Sequence, residues 1–273
     1  MATQPTRRTP VGGDLVYRQR RPVRFWHWLN ALSVIVLLMS GLMIFNAHPH
    51  LYWGQFGANQ ETPWLEIGNV DERGYLRIGP VTLPTTDVLG FADGQAHAFP
   101  SLVTIPSSYN LAGARQWHFF FAWLLVVPGL LFWLWGFASR HVQRDLAPTL
   151  DELRPRSLWN DIKDHARLRF HTGEAARRYN VLQKLSYVSV IFGLLPIMVL
   201  SGLTMSPGVD AAWPWLLDVF GGRQSARSIH FICAALLVGF IVVHLIMVVL
   251  AGPLNELRSI VTGWYRLPKE REA

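Results

Sequence analysis

Four histidines in this chain stand where an ionisable side chain is expensive. His230 and His244 interrupt an otherwise apolar run from Ile229 to Ala251. Fourteen residues separate them, which returns a helix to nearly the same face about 21 Å further along its axis. A run of this length and apolarity spans a bilayer. Ionisable groups inside such a span mark function by default. Two imidazoles on one stripe, one toward each membrane surface, suit two metal or cofactor sites stacked across the bilayer. The opposite ligands must then come from other helices, and His27 and His118 lie in two further apolar runs.

The elements that would position them are four spans, at about 26–46, 116–138, 186–206 and 229–251. Each is near the twenty residues needed to cross the hydrocarbon. Pro196 falls inside the third, where a kink is tolerated. Tryptophans cluster at the span ends, among them Trp26, Trp28, Trp117, Trp133 and Trp213, as an interfacial belt requires. Residues 1–25 form a basic tail, 26–251 the membrane domain and 252–273 a second tail. The two tails and the segment 139–185 hold 20 of the 25 Lys and Arg, against 5 in the loops 47–115 and 207–227. The positive-inside rule therefore puts both termini in the cytoplasm. The basic N-terminus followed by an apolar run resembles a signal peptide, but the run is too long and lacks an Ala-x-Ala site, so it reads as an uncleaved span.

With that orientation the histidines sort by depth. His27 and His244 fall toward the cytoplasmic surface, and His118 and His230 toward the outer one. The inner pair fits a little loosely, because His27 stands at the start of its span while His244 is seven residues from the end of its own. An arginine precedes three of the four at i−3: Arg24 before His27, Arg115 before His118 and Arg227 before His230. Residues three apart share a helix face, so each guanidinium could meet a cofactor carboxylate. Snorkelling to the interface explains any one of them; the recurrence at one spacing favours carboxylate pairing.

The ligand type follows from the arrangement. Zinc needs a compact set of four protein ligands, and these pairs are separated by most of the bilayer with no carboxylate inside any span. A planar macrocycle needs two trans imidazoles from facing helices and an apolar slot, which a helix bundle supplies. The reading is two bis-histidine haem b groups, an arrangement that favours electron transfer over oxygen chemistry. Gly41 and Gly202 could let a porphyrin approach, or could serve close helix packing of the small-residue kind. They belong to a short internal repeat, Ser40-Gly-Leu-Met and Ser201-Gly-Leu-Thr. His48 and His50 flank Pro49 and pair with nothing by spacing. His97 lies in the long loop. His141, His165 and His171 lie in the basic segment, where a solvated surface is expected. One of these three, Tyr179 or Lys184 could exchange protons with a quinone; spacing selects none.

Composition narrows the function classes. Half the chain is hydrophobic, with 12 Trp and 16% charge, which suits a polytopic membrane protein more than soluble domains. The net charge of +7 is explained by the topology bias, and no base-reading module accompanies it, so nucleic acid is not expected. The lone Cys233 excludes an internal disulfide, a Cys-x-x-Cys-His haem attachment and a cysteine-held iron–sulfur cluster. The 47–115 connection carries six acidic and three basic residues, many aromatics, and alternating stretches such as Tyr75-Leu-Arg-Ile that suggest short strands. It reads as an ordered outer cap, either a docking face for a partner or a packed lid.

On Arg24-Phe-Trp-His27, Ser40-Gly-Leu-Met, Arg115-Gln-Trp-His118, Ser201-Gly-Leu, Arg227-Ser-Ile-His230 and His244, the chain resembles the bacterial cytochrome b561/nickel–iron hydrogenase b-type cytochrome family. Within it the thiosulfate-reductase-type subunits look most similar. The resemblance covers roughly 20–46 and 115–255. It implies an all-α four-helix transmembrane bundle in the bacterial inner membrane that holds two haems on His27–His244 and His118–His230. Such subunits pass electrons between the quinone pool and a periplasmic oxidoreductase subunit of the molybdopterin or hydrogenase type, with the quinone near the inner haem. No separate catalytic site is visible. Two other readings compete: a self-sufficient quinone oxidoreductase acting on a small periplasmic substrate, and a histidine-based transporter. The transporter ranks last, because transporter sites sit near the midplane at broken helices.

Overall fold

The computed structural model describes residues 6–7, 13–57, 61–167 and 179–267. Helices dominate it. In chain order they are α1 (Arg21–Asn46), α2 (Leu111–Ala138), α3 (Pro155–Ala166), α4 (Val181–Ser189), α5 (Leu195–Thr204), α6 (Pro207–Ala212), α7 (Pro214–Val219), α8 (Arg223–Ala251) and α9 (Pro253–Thr262). Four segments are long and apolar enough to cross a membrane: α1, α2, α8 and the run Val181–Thr204. All four begin about five residues before the apolar runs suggest. Hydropathy marks only the part that matches hydrocarbon. The helix itself continues into the interface, where Arg24, Arg115 and Arg227 occupy its first turns.

Local chemistry sets the third span's shape. Asn180 opens it with a capping box: its Oδ1 accepts from the Gln183 amide at 2.8 Å, and Gln183 Oε1 accepts from the Asn180 amide at 3.3 Å. A π-helical turn, Val190–Leu194, then joins α4 to α5. Pro196 follows directly. Its ring would collide with the carbonyl four residues back and it has no N–H to give, and the widened turn stands where that conflict falls. Large apolar side chains on the spans stay uncovered, including Leu131, Leu134, Val243 and Ile246. So much exposed hydrocarbon on long helices suits lipid rather than water.

The chain divides into two compact units. The first gathers Met1–Trp28, Pro128–Leu194 and Leu237–Ala273. Here the terminal tails build a three-stranded antiparallel sheet, with β2 (Leu15–Tyr17) between β1 (Thr6–Arg7) and β7 (Trp264–Arg266). Val16, Tyr265 and Leu267 form its small core.

The second unit gathers Leu29–Val127 and Leu195–Leu236. Its connection between α1 and α2 folds as an antiparallel sheet in the order β3 (His50–Leu51), β4 (Leu65–Val70), β5 (Arg73–Ile78), β6 (Val81–Pro84). Gly90, at φ 82°, lies so close to Gly68 and Gly74 that a Cβ would strike backbone. Leu51, Leu65 and Ile67 of this sheet pack on Phe45 of α1, with Phe231 of α8 against them. The start of α8 is bolted to the same loop: Ser228 Oγ donates to the Tyr52 carbonyl at 2.6 Å and accepts from Trp64 Nε1 at 2.9 Å. The loop is therefore ordered, and it braces the helix that carries two of the four histidines.

Asn46, the last residue of α1, ties down the far end of this loop. Its Nδ2 donates to the Phe99 carbonyl at 3.0 Å, and its Oδ1 accepts from the Phe99 amide at 2.8 Å. Removing one side of a buried hydrogen bond costs about 1–3 kcal/mol. Asn46→Ala should therefore lower the thermal unfolding midpoint of the purified protein. Asn46→Asp, which keeps the acceptor but loses the donor, should lie between the two.

Candidate functional site

In the second unit, α2 brings His118 and α8 brings His230 face to face, with ring centroids 6.3 Å apart and planes at 60°. Each ring is held from behind by the same device. His118 Nδ1 lies 3.1 Å from Ser40 Oγ, and the ring bonds the Leu37 backbone. His230 Nδ1 lies 3.3 Å from Ser201 Oγ and 2.9 Å from the Met198 carbonyl. The carbonyl stands three residues before the serine in both cases. A carbonyl can only accept, so Nδ1 carries the proton and a neutral ring leaves Nε2 bare. The glycine after each serine lies beside the ring: a Cβ on Gly41 would make ordinary contact, 3.4 Å from His118 Cε1, whereas one on Gly202 would be tight, 3.2 Å from His230 Cε1. The Ser-Gly repeat thus has a physical role. Spacing exposed the repeat but not the serines' function, because only packing shows which ring each hydroxyl reaches.

In the first unit, α1 and α8 bring His27 and His244 together at 6.4 Å between centroids, planes at 53°. Phe240 stacks beside His244 at 5.8 Å. No serine stands behind His27, whose Nδ1 is buried without a hydrogen-bond partner. The depth of the four rings is nearly uniform. His27 lies six residues from Arg21, where α1 starts; His118, His230 and His244 each lie seven from the helix end at Leu111, Arg223 or Ala251. The looseness expected for the inner pair disappears because α1 starts at Arg21 rather than Trp26.

Two imidazoles bound trans to one metal put their ring centres roughly 6 Å apart, from two metal–nitrogen bonds of about 2 Å and roughly 1 Å from each nitrogen to its ring centre. Both observed separations fit that requirement. Among the described residues no group of three or more His, Cys, Asp or Glu could hold a metal ion. A metal here would need its equatorial ligands from elsewhere, which is what a macrocycle provides.

The three arginines differ in their surroundings. Arg227 donates to the carbonyls of His48 and His50 and lies over the Phe45 ring. Arg24 donates to the Val261 carbonyl in α9. Arg115 is exposed, over Phe119. The His48 and His50 rings lie 5.1 Å apart, tilted at 40°, and His50 Nε2 is 3.4 Å from Glu66. Burial, with the Arg227 charge, holds both below the ordinary histidine range. His97 stacks on Tyr109. Lys184 is buried and bonds Glu152 at 2.8 and 2.9 Å. The Tyr179 hydroxyl accepts from Gln19 at 2.7 Å. His171 and the side chain of His165 lie outside the described residues.

His141 departs from the solvated surface expected for it. Arg140, at φ 55°, ends α2 in the left-handed region and turns the next residue back onto the helix. His141 is 7% exposed, packed on Trp135, with Nδ1 2.6 Å from Asp145 Oδ2. That bond is the main cause that holds the Asp145 carboxyl below the usual range; burial opposes it, and the Arg20 and Arg144 charges add to it. A depressed carboxyl stabilises the fold above its unfolded pKa of about 3.9, and the contribution is lost as pH falls through the folded value. Asp145→Asn should therefore unfold at a lower temperature than wild type near pH 7. Thermal scans should show the gap closing as pH drops below about 4.

Comparison with known proteins bears on what these pairs do. A sequence profile described as prokaryotic cytochrome b561 matches residues 18–263. A relative from Azospira oryzae, named for a protein-methionine-sulfoxide reductase subunit, YedZ1, is 28% identical over 84% of this chain and 88% of its own length. One from Azotobacter vinelandii, named for a Ni/Fe-hydrogenase B-type cytochrome subunit, is 22% identical over 94% and 90%. A cytochrome of Escherichia coli, YdhU, is 24% identical over 93% and 76%. No solved structure matches the chain at a significant level. With four membrane-length helices and the profile covering nearly all of the described residues, the chain belongs to the prokaryotic cytochrome b561 family of membrane electron-transfer subunits that carry b-type haem.

Proposed function

We propose that this chain holds two b haems, one on His27–His244 and one on His118–His230, and passes electrons across the bacterial inner membrane between the quinone pool and a periplasmic oxidoreductase subunit. The observation that carries this is the pair of facing imidazole couples at 6.4 and 6.3 Å, both anchored on α8. Bis-histidine ligation leaves the iron no open position, which suits electron transfer. The haem supplies one-electron redox chemistry; the chain's own residues hold and tune it. In the second unit, the Nδ1 bonds to Leu37, Met198, Ser40 and Ser201 fix ring orientation and raise ligand basicity. Arg24, Arg115 and Arg227, one turn from three ligands, are the cations available to haem propionates. Gly41 and Gly202 keep the helix surface low beside the rings.

The charge bias of the tails and the 139–185 segment supports termini on the cytoplasmic side, so that the β3–β6 sheet faces the periplasm. The relatives named for reductase and hydrogenase subunits support a partner of the molybdopterin or hydrogenase type, docking on that sheet. A partner is also why no separate catalytic site is needed in this chain.

Purified protein should show a b-type spectrum on reduction and two haems per chain. His244→Ala should keep one haem, and His118→Ala should keep the other, with distinguishable potentials. Gly202→Val should lose the haem of its own unit, because a branched Cβ has no room beside His230 Cε1. Wild-type protein with one haem, or none, would refute the assignment.

A further inference from the structure

We propose that His141, oriented by Asp145, is the proton-exchanging residue for the quinone, with Nε2 as the atom that meets the quinone oxygen. The inference rests on the quinone-linked function above and names the group through which protons enter and leave.

Four observations converge on this dyad, all within the first unit. The imidazole is almost fully covered, yet it has a carboxylate 2.6 Å from Nδ1. A bond to a charged acceptor at this distance is a strong one, and it leaves Nε2 with the lone pair. The ring lies against Trp135 at 5.2 Å and edge-on to Phe132 at 6.4 Å. Phe132 in turn stacks flat on Trp26, 4.2 Å away at 8°, and Trp26 immediately precedes His27. A chain of aromatic contacts thus runs from the dyad to Trp26, the neighbour of the proposed ligand His27. The Arg140 turn holds this arrangement with a backbone conformation that non-glycine residues seldom adopt.

Several other protic groups of this unit are already committed among the described residues. Lys184 on α4, which packs against the segment Val142–Leu146, is bonded to Glu152. The Tyr179 hydroxyl is bonded to Gln19. Arg144 donates to the Ser139 and Arg140 carbonyls. Arg20 adds positive charge near Asp145.

The chemistry balances with one named co-reactant. In quinol oxidation one O–H bond breaks and its proton goes to Nε2, giving an imidazolium that Asp145 stabilises. The second hydroxyl proton leaves to water. The two electrons depart singly to the b-type carrier of this end. Quinone reduction is the reverse.

The test measures binding of a short-chain ubiquinone analogue, and separately of a naphthoquinone analogue, by quenching of tryptophan fluorescence between pH 5 and 9. It uses wild type, His141→Gln and Asp145→Asn, with haem counted in every sample. Wild type should bind one of the analogues more tightly at low pH, where the imidazolium donates to the quinone oxygen. His141→Gln should weaken that binding about tenfold, as loss of a charge-assisted hydrogen bond does, and should flatten the pH profile. Asp145→Asn should change the pH profile of binding as well as its strength, a change that a merely structural role would not produce. Unchanged affinity and profile in both variants would overturn the proposal. So would loss of haem from both, which would mark the dyad as a brace. A wild type with two haems that binds neither analogue would sink the quinone reading, and one without haem would sink the electron-transfer reading beneath it.

Discussion

The structure depends on pairs of imidazole nitrogens made to face each other in an apolar interior. In each couple the two ring centroids lie 6.3 or 6.4 Å apart, in an interior where an unpartnered buried polar atom costs on the order of 1–3 kcal/mol. In the second unit this is enforced rather than tolerated. Both Nδ1 atoms are tied back to a carbonyl and a serine, so neither ring can turn its bare nitrogen elsewhere. Behind the two rings, Gly41 and Gly202 are where the backbones of α1 and α5 come within van der Waals reach of His118 and His230.

The two couples are built differently although they share α8. The His118–His230 couple has a doubled Ser-Gly support, while His27 has no partner at Nδ1 and His244 has Phe240 beside it. Hydrogen bonding at Nδ1 raises the basicity of an axial imidazole and favours the oxidised metal. The two couples therefore differ in the hydrogen bonding behind their rings.

What surrounds the couples is divided between lipid and braces. The long helices leave broad apolar faces uncovered and bury small polar residues, Ser33, Ser40, Ser201 and Ser228 among them, the residue type that lets membrane helices approach closely. Rigidity is added at the ends. In the second unit the β3–β6 sheet and its hydrogen bonds to Ser225, Arg227 and Ser228 fix the start of α8. In the first unit the strand pair β2–β7 links the two terminal segments. Neither tail alone has the length or the alternation to announce a strand.

The sequence by itself determined the spans, the shared helix and the partition of the histidines by depth. These rest on hydropathy and on the 3.6-residue period, both local and additive along the chain. It also carried the family resemblance, because His27, His118, His230 and His244 stand in motifs with recognisable neighbours. Tertiary structure decided what local rules cannot reach. Helix starts lie beyond the hydrocarbon and so beyond hydropathy. The serines act across helices, on rings 78 and 29 residues away, and no spacing within one helix reveals that. His141 looked solvated because its neighbours in sequence are charged; it is buried because a left-handed Arg140 folds it onto α2, and the sign of one backbone angle is not written in composition.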